Sequence, residues 1–333
     1  MINVLLALLV SFVCGLGLVP LVFWLVDKAR AKQTILQYVT THQNKNGTRT
    51  LGGLIFVFAT CISAPIFFKE NARLAYIALA VFLSFGLLGF LDDFIKIKTH
   101  KNLGLRAYQK VIGQVGISLL IAIFVYNSNL IGTSIYLPWS FKSVDIGWGV
   151  IPFVMFVYLA VTNSANLTDG LDGLAGGVSF VAVGGLCVAV ALLCNQLSQQ
   201  GIGLNVLNEY HNLIVLGCCV CGGLMAFLCV NSFPAKIFMG DTGSLALGGI
   251  IASIAVFTQL SLLLPIICFC FVLSAISVLM QVVYYKLTHK RIFLMAPLHH
   301  HFEKKGVNES KIVAIYIIVT ILASALSIVL CLI

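Results

Sequence analysis

Apolar residues gather in ten long runs, at roughly 3–26, 51–68, 74–91, 109–126, 149–162, 174–193, 211–230, 244–258, 262–285 and 311–332. Most can cross the roughly 30 Å hydrocarbon core of a bilayer as helices. Inside lipid the backbone must satisfy its own polar groups, and helices do that within one segment. The pattern predicts an all-α polytopic integral membrane protein of about ten transmembrane helices. The fifth and eighth runs are short, so they borrow flanking residues or tilt less. No polar segment is long enough to fold separately, and residues 1–333 read as a single integral domain. The first run lacks a basic leader and a clear cleavage site, and reads as a retained helix. The 127–148 connection, with Gly132, Pro138, Trp139 and Gly147, reads as a small hairpin at the outer interface. Glycine pairs at 52–53, 176–177, 184–185, 222–223 and 248–249 mark close helix packing.

Composition agrees: 60% of residues are hydrophobic and 9% charged, against about 25% charged in soluble domains. Eleven cysteines lie almost entirely in apolar runs and read as small packing residues, not as a disulfide or metal framework. Charge adds more. With alternating spans, one set of connections (27–50, 92–108, 163–173, 231–243 and 286–310, with Lys110 and Lys311 at its margins) holds 17 of the 20 basic residues. The positive-inside rule makes that set cytoplasmic and puts both termini outside. It also holds Asp27, Asp92, Asp93, Asp169, Asp172, Asp241, Glu303 and Glu309, leaving only Glu70, Asp145 and Glu209 opposite. The net charge of +9 is thus a signal of topology rather than of nucleic-acid binding, and the active site is expected on the cytoplasmic face.

The polar connections carry the candidate chemistry. Asn163-Ser-Ala-Asn-Leu-Thr-Asp-Gly-Leu-Asp-Gly-Leu-Ala-Gly-Gly177 sets Asp169 and Asp172 at a bilayer edge with no Lys or Arg beside them. They share a face if that backbone is helical; the plainer reading is a turn whose Asp residues cap the next helix. Asp92 and Asp93 fall where the third span should end, opposing the helix dipole, with Lys96 at i+3 and i+4 as a local partner. Neighbours on a helix point about 100° apart, so the two should have different partners. Asp241 sits in a Gly-Asp-Thr-Gly-Ser turn that opens a helix, where an N-cap is its plainer role. Phe238 offers a face for a base or an anchor for its loop. Lys45 and Thr50 flank a Gly-rich turn that reads as an anion cradle or an ordinary cap. Consecutive His299, His300 and His301 cannot all face one metal; imidazoles on phosphate suit them better, beside the plainer reading of an interfacial basic segment. Carboxylates as hard oxygen ligands, with Lys and His nearby, suit magnesium-dependent phosphoryl chemistry. Acidic residues in a many-span protein also suit a cation-coupled transporter, but that design puts charge near the midplane in broken helices.

Gly47-Thr-Arg-Thr-Leu-Gly-Gly53, Leu91-Asp-Asp-Phe-Ile-Lys96, Asn163 to Gly177, Asn231 to Ser244 and Pro297-Leu-His-His-His-Phe-Glu303 together resemble the MraY family, the phospho-N-acetylmuramoyl-pentapeptide transferases of bacterial cell-wall synthesis. The His-His-His-Phe-Glu run separates that family from the polyprenyl-phosphate N-acetylglucosamine-1-phosphate transferases, the alternative activity. One departure is Arg49, where the family usually has Pro in Gly-Thr-Pro-Thr-Met-Gly-Gly, and it bears on the shape of this turn. The resemblance implies transfer of phospho-MurNAc-pentapeptide from UDP-MurNAc-pentapeptide to undecaprenyl phosphate, giving lipid I and UMP with Mg2+. It implies a ten-helix homodimer among the lipids of the bacterial cytoplasmic membrane. It implies that Asp92, Asp93 and Asp241 are the catalytic carboxylates, with Asp241 a magnesium ligand. Asn166, Asp169, Gly170, Leu171, Asp172, Asn231 and Phe238 then look like the uridine-side pocket. Lys45, Thr50, His299, His300 and His301 look like further substrate contacts, and Lys110 like a phosphate contact.

Overall fold

The computed structural model describes residues 2–29, 31, 47–99, 104–137 and 142–332. Its helices are α1 (Ile2–Lys28), α2 (Gly53–Phe67), α3 (Arg73–Thr99), α4 (Ala107–Tyr126), α5 (Val150–Thr168), α6 (Leu174–Gln199), α7 (Leu204–Asn231), α8 (Gly240–Phe257), α9 (Leu264–Ile267), α10 (Phe269–Thr288), α11 (Leu298–Lys304) and α12 (Glu309–Leu330). Among the described residues nine helices are long and apolar enough to cross a membrane, and α2 is a shorter apolar one. The protein is an all-α polytopic membrane protein. The expected hairpin is present: β1 (Ser134–Tyr136) pairs antiparallel with β2 (Ser143–Asp145), Ile135 opposite Val144.

Helix α8 is the axis of the bundle. Its residues from Thr242 to Phe257 are all buried, and it packs on α3 and α5. Its small residues let neighbouring backbones come close. A Cβ at Gly248 would overlap the Thr162 backbone of α5, and one at Gly249 would meet the Phe85 ring of α3. Tyr158 stacks on Phe85 at 5.9 Å and shares a 2.8 Å hydrogen bond with Ser253, so three helices lock at one level. Of the predicted glycine pairs only Gly184 faces open space.

Several helix ends differ from the hydropathy pattern, and polar partners explain why. α3 does not stop near Leu91 but runs to Thr99, so Asp92 and Asp93 lie within a helix rather than at its end. Their charge is met by Lys96 and by N–H groups of α8, which removes the conflict with the dipole. α5 continues through Asn163 and Asn166, because Gln114 and Ser244 on neighbouring helices receive their amides. It ends at Thr168, and residues 169–173 form turns, so Asp169 and Asp172 do not share a helical face. α7 begins at Leu204, with Glu209 buried; its carboxylate accepts the Arg73 and Leu74 N–H groups and so caps α3 from outside. The ninth run is broken at Cys268 into α9 and α10. All eleven cysteines are free thiols.

Candidate active site

Three carboxylates from two helices meet at one end of the bundle. Asp92 and Asp93 come from α3, and Asp241 from the first turn of α8, whose N-cap is Met239, so Asp241 is not the cap. One oxygen from each lies within 4.8 Å of the others. The Lys96 Nζ sits among them, 2.5 Å from Asp92, 3.7 Å from Asp93 and 2.9 Å from Asp241. Lys110, in the first turn of α4, donates to the same Asp241 oxygen at 3.0 Å and to Asn166 at 3.3 Å. Asn166, in the last turn of α5, donates to the other Asp241 oxygen at 2.6 Å and to Ser244 at 2.8 Å. Four helices therefore converge on Asp241.

The two adjacent aspartates do have different partners. Asp93 accepts the Asp241 N–H at 3.1 Å, the Thr242 N–H at 2.9 Å and the Thr242 hydroxyl at 2.7 Å. It thereby caps α8 from a neighbouring helix, where a carboxylate also meets the positive end of the dipole. Gly240 makes this approach feasible: its φ is 75°, and the Asp93 oxygen comes within 2.5 Å of where a Cβ would stand. Asp92 accepts the Leu105 N–H at 2.8 Å, fastening the segment before α4 to the centre. Hard carboxylate oxygens in this number suit a divalent cation, and the five charges leave a net negative site for it.

A second cluster flanks the first. Asp169 stands in the turn after α5. Burial, with the Asp241 and Asp93 charges behind it, pushes its carboxyl up to about 8, against the pull of Lys96. Beside it a Cβ on Gly170 would collide with ring nitrogens of His299 and His300 from α11. His300 pairs with Glu303 at 2.8 Å, and His301 accepts the Leu294 N–H at 3.1 Å. His299 is wholly buried, and neither of its ring nitrogens has a hydrogen-bond partner among the described residues. His300 and His301 have different partners, and among the described residues the three imidazoles form no common metal site.

The profile of glycosyl transferase family 4 matches residues 74–259. The phospho-N-acetylmuramoyl-pentapeptide-transferase of Clostridium kluyveri is 42% identical over 322 residues, 96% of this chain and 95% of that protein. The enzymes of the same name from Thermoanaerobacter sp. (strain X514) and Clostridium perfringens (strain 13 / Type A) are 42% and 41% identical, covering 98% and 96% of this chain and of their own lengths. This chain belongs to the phospho-N-acetylmuramoyl-pentapeptide-transferase family. It is a membrane-embedded transferase.

Of the residues nominated for this family, Asp92, Asp93, Lys110, Asn166, Asp169 and Asp241 surround one centre, with Gly170, His299 and His300 beside it. Others stitch the loops that frame it. Asp172 accepts the Ala235 N–H at 2.9 Å, and its own N–H donates to Glu309. Asn231 accepts the Gly173 N–H and donates to the Ile237 carbonyl. Leu171 is buried. Phe238 is half-buried, and its backbone bonds Arg49 and Gly52, which brings Thr50 beside Gly240. Lys45 lies outside the described residues. The sequence pattern undervalued Lys96: its spacing from both aspartates was visible, but it looked like a local ion pair rather than the cation between two helices.

The turn that carries Arg49 is held by backbone bonds and does not depend on that side chain. Arg49 bridges Ile237 in parallel, and Gly52 and Gly53 donate to the Phe238 and Met239 carbonyls. These bonds hold Leu51 in the left-handed region at φ 67°. The guanidinium instead grips Asp27 through two bonds of 2.8 and 2.7 Å and lies 4.6 Å over the Phe23 ring, tying the turn to α1. This ion pair is a third to a half exposed. Arg49→Ala is expected to cost about 1 kcal/mol or less and to leave turnover within a few-fold; a melting curve and an activity assay check both.

His299 predicts an acid response. Burial, reinforced by His300 and opposed by Glu303, pushes its pKa down to about 3. The unfolded chain binds a proton there below about pH 6.5 and the folded chain does not. The His299 contribution to stability is thus constant above that pH and falls as pH drops from it toward 3, by up to tenfold in the folding equilibrium per pH unit. His299→Gln should flatten the fall of the melting midpoint between about pH 6.5 and 4.5. An unchanged slope would place the acid sensitivity elsewhere.

Proposed function

We propose that this chain transfers phospho-N-acetylmuramoyl-pentapeptide from UDP-MurNAc-pentapeptide to the phosphate of undecaprenyl phosphate, releasing UMP and forming lipid I. It does so as one integral domain, a homodimer in the bacterial cytoplasmic membrane, with termini outside and the site facing the cytoplasm. The observation that carries this reading is the meeting of Asp92, Asp93 and Asp241 around Lys96, beside the His299–His300 cluster. Asp92, Asp93 and Asp241 would hold Mg2+, which would supply charge neutralisation for the donor diphosphate. Lys110 and Lys96 meet phosphate oxygens. Asp169, with Gly170, Leu171, Asp172, Asn166, Asn231 and Phe238, frames the uridine side. Lys45, Thr50 and His299 to His301 reach the remainder of the donor.

The bonding at the aspartates favours direct attack by the lipid phosphate. A phosphate monoester with a second pKa near about 6 is mostly dianionic at neutral pH, so it needs no general base. Asp93 already accepts three hydrogen bonds at the start of α8, and Asp92 holds Leu105 and Lys96. Either would have to shed these to act as a nucleophile. A phosphorylated Asp92 or Asp93 trapped with donor alone would overturn the direct route. The charges lie at one end of the bundle and not at a midplane break, which disfavours a cation-coupled transporter.

The test is UMP release by detergent-purified protein given UDP-MurNAc-pentapeptide, undecaprenyl phosphate and magnesium. Lipid-dependent release is the expected result. Release only with UDP-N-acetylglucosamine would assign the sister activity, and silence with both would sink the enzyme reading.

A further inference from the structure

A second polar site lies at the far end of the bundle. Arg73 opens α3, nineteen residues before Asp92, about 28 Å along the helix axis. That separation is close to the thickness of the bilayer core, so Arg73 stands at the membrane boundary opposite the carboxylate centre. A cavity of about 350 Å³ opens there, lined by Arg73 and by Leu120, Ile123, Phe124, Asn127, Ser128, Asn129 and Leu130 of α4 and its following turn.

Its lining is divided. Asn127, Ser128 and Asn129 make a polar rim just past the last turn of α4. One to two turns deeper, Leu120 and Ile123 are apolar and exposed at 72% and 44% on the lipid-facing side of the helix. Phe124 is fixed edge-on against Phe257 of α8, and the Arg73 guanidinium lies 5.6 Å over its ring. That stacking holds the cation at the cavity. No carboxylate comes within ion-pair distance of the guanidinium among the described residues. Glu209 feels the Arg73 charge at a distance, while its oxygens accept the Arg73 and Leu74 backbone N–H groups beneath it. A positioned guanidinium with no carboxylate in ion-pair contact among the described residues, over an apolar wall at a bilayer boundary, matches an amphiphile with an anionic head. Guanidinium binds phosphate oxygens in a two-pronged geometry that a zwitterionic head partly cancels with its own cation.

We propose that this cavity binds an anionic phospholipid, its phosphodiester on Arg73 and the Asn127–Asn129 rim and an acyl chain along Leu120 and Ile123. The proposal stands on the fold and does not depend on which reaction the opposite face performs.

Native mass spectrometry of delipidated full-length protein tests it, with phosphatidylglycerol and phosphatidylcholine as probes. The parent should retain phosphatidylglycerol about tenfold more tightly, the worth of one charge-assisted contact. Arg73→Ala should abolish that preference. Ser128→Glu should do so too, by placing a carboxylate at the rim from a half-buried turn position; it decides the matter if the Arg73 variant fails to fold. Lys142→Ala, a basic residue on the nearby hairpin, should leave the preference intact. Equal retention of the two lipids, or a preference that survives Ser128→Glu, would overturn the site. Displacement of the lipid by millimolar inorganic phosphate would show a plain anion site and overturn the lipid assignment.

Discussion

Asp241→Ala protein is expected to release UMP at least about 10²–10³-fold more slowly than the parent, while still folding. The two parts of this result have separate causes. Folding survives because Lys96 keeps Asp92 and Asp93 as partners when Asp241 is removed. Lys110 is left with the Asn166 carbonyl, and losing a charge-assisted bond there costs about 1.5–3 kcal/mol. Activity does not survive, because Asp241 is the one group on which Lys96, Lys110 and Asn166 all converge. Its loss removes an oxygen from the three-carboxylate set and one positioning partner from each lysine. Phosphoryl transfer depends on positioning and charge neutralisation, so both losses fall on the transition state. Single-turnover UMP release, with a melting curve on the same sample, checks the pair of expectations. Retention of a tenth or more of parental activity would remove the carboxylate centre from the reaction.

Gly89→Ala is expected to lower turnover about 100-fold with a change in stability of only about 2 kcal/mol or less. Gly89 lies three residues before Asp92 on α3, and a Cβ there would overlap the Asp241 carbonyl and the Thr242 nitrogen. No flexible side chain stands at that contact to yield, so α3 and α8 must move apart. Overpacking costs about 1–3 kcal/mol, and alanine returns up to about 1 kcal/mol of helix propensity. The activity cost is larger because the same displacement separates Asp92 and Asp93 from Asp241. A misplacement near 1 Å can cost about a hundredfold in rate. The discriminating observation is a near-parental melting midpoint with a collapsed turnover. Parental turnover would show that the α3–α8 spacing does not set the site.

Much of this molecule was legible in its order of residues. Apolar length alone located the spans, because a bilayer of fixed thickness admits helices of fixed minimum length. Hydropathy misplaced their ends wherever polar residues had partners on another helix. Asp92 and Asp93 looked like a terminus because no sequence rule reveals that Thr242 and Asp241 supply N–H groups from 149 and 148 residues away. Asn163 and Asn166 looked like loop for the same reason, since Gln114 and Ser244 lie far along the chain.

The sequence by itself determined an all-α membrane protein, the loops that hold its chemistry, and the residue types those loops present, since hydropathy and motif spacing are local properties. Only the tertiary structure decided that Lys96 stands between α3 and α8, that Asp93 caps α8 while Asp92 holds Leu105, and that His299 is buried without a hydrogen-bond partner among the described residues. It alone placed Arg73 over Phe124 beside a cavity at the opposite boundary. The reason is the same in each case: a side chain's electrostatic role is set by the neighbours that packing brings to it, and in this bundle glycine contacts between distant helices choose those neighbours.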